Sequence, residues 1–411
     1  MKNFLSEFPN VNTLVNEVNG LKVPSYREAN CHIHTPWSFS AFADMETIFR
    51  MAVDEGIAIL GINDFYVTSG YDDFHAGCLA NGIFPLFNLE FIGLLKEEQK
   101  MGIRINDPNN PGRIYFTGKG LDYPFHTGWL KGRSLDRVVT ESQNQMKAMI
   151  GRLNELLVAA GEHPVLTYER IRNKFARDLV RERHLAKAVR DLVQQNFDKE
   201  EEQVAFIEKL YGGKNSKTGI ANHAALENEI RSNLLKSGGA AFVEEDSRSF
   251  MELDKIIKII IDSGGIPCYP VLLDDPSGKY TEYEGDFEKL YTSLTRLGVE
   301  CIELIPGRND IRKLKEFVEF FNEKGFIITF GTEHNTPELI PLTVTARGNT
   351  PLDESLKKIA WEGACIIAAH QYLRADGRQG YILPDGSHSK DQKQELFQLG
   401  RMVLEYYIKN K

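Results

Sequence analysis

The chain has 411 residues, 42% hydrophobic and 26% charged. That is the composition of a folded globular protein with ample core, and it excludes a disordered, collagenous or coiled-coil architecture. A formal charge of −9 at pH 7 argues against a surface that coats nucleic acid.

The first residues, MKNFLSEFPNVNTLVNE, lack a basic segment followed by an apolar core, and no apolar run approaches the ~20 residues of a membrane span. The expected location is cytoplasmic, with no membrane and no nucleic-acid partner. The five cysteines are scattered and form no CxxC pair, which excludes a disulfide framework or a thiolate zinc site and fits a reducing compartment. Apolar, β-rich runs then begin at Ala29–His34 and continue at Ile59–Asp64, Phe84–Gly93 and Arg113–Leu121. Between the first two, Asp44–Glu55 reads as a helix capped by Asp44, with Ile48, Phe49, Ala52 and Val53 as its apolar stripe.

From about Leu130 to Lys236 no strand pattern occurs. Met146, Met149, Ile150, Leu153 and Leu157 mark one amphipathic helix there, and Ile171, Phe175, Leu179 and Leu185 suggest others. Residues 169–191 carry eight Lys/Arg against four Asp/Glu, either a solvated helix face or a basic cap over an anionic substrate. GGKNSKTG at 212–219 is not a phosphate-binding loop, because Ser216 replaces the glycine required before the lysine and no strand precedes it. The strand rhythm resumes at Gly264–Leu272, Val299–Pro306 and Phe326–His334, with helical patterns at Phe250–Asp262, Asp286–Leu297 and Asp310–Lys324. Leu352–His370 and Gln392–Ile408 read as helices that complete an outer layer or form an oligomer contact. Nearly apolar strands alternating with helices predict an α/β fold with a mainly parallel sheet, and seven strands suit a barrel or an open sheet.

Cys31-His32-Ile33-His34 ends the first run. Residues two apart in a strand share a face, so both imidazoles point the same way at a C-terminal strand end, where barrel active sites are built. Asp64 closes a second run, Glu90 lies in the third, and Glu333 and His334 close the last. Together they predict a ring of His and carboxylate ligands suited to Zn, Mn or Fe.

In order, these segments resemble a family. HIHTPWS resembles the motif HxHTxxSDG, GINDF resembles GITDH, and the Glu90 strand resembles a glutamate strand. RIYFTGKGL resembles VHILGYG, RERHLAK resembles RPHIAR, SGGIPCYP resembles AGGVAVLAHP, and GTEH resembles GSDxH. The chain thus resembles the polymerase and histidinol phosphatase (PHP) family of metal-dependent phosphoesterases, from about residue 29 to 335. The resemblance implies a distorted TIM-like (β/α)7 barrel, built from residues 1–129 and 251–411, with a mainly helical insertion or cap at 130–250. It also implies up to three metals.

One implied metal site is nearly intact as His32, His34, Glu90 and Glu333, the last being Glu where the family has Asp. The positions of the second hold Tyr115 and Tyr269, and those of the third hold Phe39, Phe65 and His334. The expectation is a site rebuilt around one divalent metal, with His126 or His184 as substitute ligands if further ions bind. A single ion needs helpers. Asp64 is the candidate general base or a support for a ligand histidine; Tyr115 and Tyr269 are candidate proton or hydrogen-bond donors. His126, His184, Lys119, Arg183 and Arg308 are candidates to bind an anionic small-molecule substrate. The expected activity is hydrolysis of a small phosphorylated metabolite; the alternative is an inactive barrel that binds a ligand without turnover.

Overall fold

The computed structural model describes residues 3–18, 24–383, 385–388 and 390–410. The apolar runs form seven strands: β1 (Glu28–Ile33), β2 (Ile57–Phe65), β3 (Phe84–Leu94), β4 (Arg113–Lys119), β5 (Ile266–Val271), β6 (Cys301–Leu304) and β7 (Ile327–Phe330). Around the first four lie α1 (Val11–Val18), α2 (Met45–Asp54), α3 (Tyr71–Ala80) and the short α4 (Lys96–Lys100). Between β4 and β5 come α5 (Trp129–Ala159), α6 (Tyr168–Phe175), α7 (Glu182–Asn196), α8 (Glu200–Leu210), α9 (His223–Ile230), a π-helical turn at Arg231–Leu235, and α10 (Leu253–Asp262). The chain finishes with α11 (Phe287–Arg296), α12 (Ile311–Glu323), α13 (Glu354–Ala375) and α14 (Lys393–Lys409). Aspartates start many of these helices: Asp44, Asp286, Asp310 and Asp353 each accept a backbone N–H of the first turn.

The strands pair in chain order into a nearly closed, distorted TIM-like barrel ringed by helices. Closure comes from a bridge between Ile33 and Glu333. There the His34 N–H donates to the Glu333 carbonyl and the Glu333 N–H to the His32 carbonyl, both at 2.8 Å. One strand departs from the expected parallel pattern. β4 is antiparallel to both neighbours, with Leu89 opposite Gly118 and Thr117 opposite Cys268. The chain between β3 and β4 has only α4 as a helix, so it returns alongside β3 instead of crossing over a face, as a parallel partner requires. The end of β4 therefore lies at the floor of the barrel, where the other strands begin.

α13 covers that floor. Gln371 bonds the Phe87 N–H and the Pro85 carbonyl, and the His370 ring meets the Gly264 carbonyl at 2.6 Å. Trp361, Cys365 and Ile367 pack with Cys31, Phe84, Leu86, Cys268 and Ile327 in one buried cluster. This helix thus seals one end of the barrel, a role beyond the outer layer expected for it. α5–α9 enclose a separate apolar cluster built on Met149, Leu153, Leu185, Val189 and Ile207. Among the described residues no helix is long and apolar enough to cross a membrane.

Candidate metal centre

The alternation of β1 puts His32 and His34 side by side, both buried, with their Nε2 atoms 3.3 Å apart. Glu90, where the pairing of β3 with β2 ends, brings Oε2 to 3.1 Å from His34 Nε2 and 3.7 Å from His32 Nε2. Glu333 follows β7 in a left-handed conformation (φ 66°), as does His334 (φ 54°). That conformation is strained for residues with a side chain. It lets the Glu333 backbone close the barrel while its carboxylate joins the histidines. His32, His34 and Glu333 each offer a ligand atom within 4.8 Å of the others.

Burial keeps both imidazoles neutral, lowering His32 and taking His34 well below the ordinary range. It also lifts Glu90 to about 7, with His32 opposing and Glu303 adding to the rise. The Glu90 Oε2 atom is buried with no hydrogen-bond partner. An orphaned carboxylate oxygen facing two imidazole nitrogens is a polar arrangement that a cation would satisfy. The donor set of two nitrogens and one or two carboxylates suits a divalent transition ion.

Two supports were not evident among the strand-end residues. Glu303, from the middle of β6, places Oε2 3.0 Å from His32 Nδ1. Burial would raise its pKa, but His32 and Lys119 hold it at about 2. Asn63, on β2, brings its amide to 2.9 Å from His32 Nε2. An acid flanked by Ile302 and Leu304 inside the run 299–306 was the available signal for Glu303.

Of these groups, His32, Glu90, Glu303 and Glu333 line a cavity of about 930 Å³ at the C-terminal ends of the parallel strands. Tyr115, near the start of the reversed β4, lines it, as do Arg181, Arg183 and Arg308. Burial raises the Tyr115 phenol, so it stays protonated and able to donate. Arg308 is half-exposed and pairs with Glu333. Arg183 bonds the Asn228 side chain at 2.9 Å. Arg181, the N-cap residue of α7 and not among the residues expected from sequence, lays its guanidinium 4.5 Å over the Phe65 ring.

Other expected residues stand elsewhere. Asp64 is completely buried and accepts from Thr35 N–H (2.8 Å), Thr35 Oγ1 (2.5 Å) and Ser38 Oγ (2.6 Å). Burial raises it to about 6 despite these bonds. It braces the loop after His34, with Oδ1 4.0 Å from His34 Nδ1, and does not face the cavity as a base would. Tyr269 points out of the barrel and donates to Glu284 at 2.7 Å. His334 turns away from the other ligands: its Nδ1 meets Thr332 Oγ1, its Nε2 meets the Ile340 carbonyl, and its ring stacks on Phe42. His184 is buried and accepts the Arg181 N–H, fastening the first turn of α7; burial drops it to about 3. Lys119 and His126 share one cause of misplacement, the reversal of β4. Lys119 is wholly buried inside the barrel on Glu303, and His126 is exposed beside Asp122, which pairs with Arg374 of the floor helix.

No family model and no curated protein sequence matches the chain. Among solved structures it is similar to a chain from Bifidobacterium adolescentis assigned as a metal-dependent phosphoesterase. That match has a TM-score of 0.52 at 13% identity and covers 81% of this chain and 95% of the other. An amidohydrolase from Chromobacterium violaceum, solved with bound sulfate and no metal, matches with a TM-score of 0.47 at 15% identity, covering 81% and 96%. At such identity the first likeness speaks for the fold alone.

Proposed function

We propose that this chain is a metal-dependent hydrolase of the PHP type that cleaves a small phosphate ester at the base of the barrel cavity. The observation that carries the reading is the orphaned Glu90 oxygen set against two neutral imidazoles. His32, His34, Glu90 and Glu333 would hold one divalent ion, Zn, Mn or Fe. A bound ion supplies Lewis-acid polarisation of the ester and acidifies a water. The protein's own groups do the rest. Arg181 has no carboxylate within 4 Å among the described residues, so its charge is available to an anionic substrate. Tyr115, kept protonated by burial, donates a hydrogen bond to an ester oxygen. The cavity is lined by α5 and α7 on one side and by the β5 and β6 ends on the other, which shields the reacting bond from bulk water.

One observation favours the alternative of ligand binding without turnover: Arg308 already pairs with Glu333, which occupies one of the four donors. The test is metal content by plasma mass spectrometry on protein purified without chelators, followed by turnover of a phosphate-ester panel. About one equivalent of metal, lost in a His32→Ala/His34→Ala variant together with ester cleavage, supports the hydrolase. Stoichiometric metal with no turnover of any ester supports the binding protein. Metal retained by the double variant refutes the site.

A further inference from the structure

On the metal-site reading above, the least expected feature is the ion pair buried inside the barrel. Lys119 and Glu303 have no exposed surface, and His32 has 1%. Glu303 Oε2 is shared between Lys119 Nζ at 2.5 Å and His32 Nδ1 at 3.0 Å. Lys119 Nζ also donates to the carbonyl of Cys31, the residue before His32, at 3.1 Å. β1, β4 and β6 thus converge on one imidazole.

We propose that Glu303, fixed in turn by Lys119, is the positioning residue that makes His32 a metal ligand. A carboxylate can only accept, so the nitrogen facing it carries the imidazole proton. His32 Nδ1 is that nitrogen, which leaves Nε2 as a lone pair. Nε2 is the atom turned toward His34 and Glu90; the Asn63 amide lies 2.9 Å from Nε2 and 3.2 Å from Nδ1 and does not distinguish the tautomers. A carboxylate behind a metal-binding imidazole fixes its tautomer and raises its basicity. Stability does not account for the pair, because buried ion pairs rarely outperform apolar groups of similar volume. Lys119 explains how the acid is tolerated: without it, Glu303 would be a charge inside a closed barrel, free to turn away from His32. β4 runs backwards, so Lys119 enters from the floor end, and its long side chain carries the ammonium up to Glu303.

The test separates orientation from stability through zinc affinity, measured by competition with a chromogenic chelator, and unfolding of the metal-free protein. Lys119→Met/Glu303→Met removes both charges together, so no unpaired charge remains. It is expected to unfold at or above the native midpoint yet bind zinc roughly 10–100-fold more weakly. Lys119→Met/Glu303→Gln keeps an acceptor oxygen for His32 Nδ1 and is expected to stay within about threefold of native affinity. Native affinity in the Met/Met variant overturns the proposal, as does equal weakening in both variants. If the Met/Met variant does not fold, the Gln variant decides alone, and weakening beyond tenfold there overturns the proposal. Absence of zinc binding by the native protein, or zinc retained by His32→Ala/His34→Ala, overturns the metal-site reading itself.

Discussion

Gly331→Ala puts a methyl group where β7 passes closest to the first ligand. That methyl would lie 2.4 Å from His32 Cβ and 2.8 Å from both the His32 nitrogen and oxygen. Real Cβ contacts essentially never fall below 3.0 Å and are ordinary from 3.4 Å. The strands must therefore part by roughly 0.6–1 Å, a shift set by the rigid packing of interiors. They resist, because the Glu333 N–H bonds the His32 carbonyl and the His34 N–H bonds the Glu333 carbonyl across the same gap. Overpacking and two weakened backbone bonds together cost about 2–4 kcal/mol. Metal–ligand distances tolerate only about 0.2 Å, so zinc affinity should fall at least about tenfold. The assay is denaturant unfolding of the metal-free protein beside zinc competition. Gly151→Ala, inside α5 with open space around its Cβ position, is the control and should gain about 0.5–1 kcal/mol. A Gly331→Ala protein with native midpoint and native zinc affinity would refute the closure argument.

Arg181→Met should leave the fold intact, since no carboxylate holds the guanidinium, and should lower kcat/KM for a phosphate ester by about 10–100-fold in steady-state assays; unchanged kinetics would remove Arg181 from the substrate. Tyr269→Phe should cost about 1.5–3 kcal/mol through the lost bond to Glu284 and leave turnover alone, because the phenol faces away from the cavity; a tenfold drop in kcat with native stability would restore Tyr269 as a site residue. Glu284 sets a pH dependence. Burial raises it to about 7, above the ~4.3 of the unfolded chain, so the folded form holds a proton the unfolded form has released. Its contribution is complete below pH ~4 and is lost as pH rises to about 7, on the order of 3 kcal/mol. Urea unfolding of metal-free Glu284→Gln across that range should show a flatter slope than native protein; an identical slope would count against the assignment.

What the sequence made legible follows one physical divide. Strands buried on both faces read as apolar runs, so all seven emerged within a few residues of their observed ends. The His32–His34 pair was legible because strand periodicity alone fixes which side chains share a face. Strand direction has no such local signature. The reversal of β4 depends on how the chain returns from β3, and it turned Lys119 into the barrel interior on Glu303 and put His126 at the floor while leaving Tyr115 at the cavity. Face is equally fragile to phase: a shift of one residue turns a side chain outward, which is what separates Tyr269 from the barrel interior. At the start of α7 the sequence offered Arg183 and His184; the backbone bond that His184 accepts turns it away, while Arg183 and the unanticipated Arg181 line the cavity.

The charges at the barrel base then bear on how many ions it suits. Three carboxylates stand there, Glu90, Glu303 and Glu333. Lys119 matches Glu303, and Arg308 matches Glu333. Only Glu90 has no cationic side chain in an ion pair with it, since burial keeps its two histidine neighbours neutral. Two ions would bring four positive charges to a single unmatched carboxylate, and their mutual repulsion in a poorly solvated cavity would not be offset. Under the proposed function this balance favours a single divalent ion, which His32, His34 and Glu90 would hold, with Glu333 available once Arg308 is drawn to an anionic substrate.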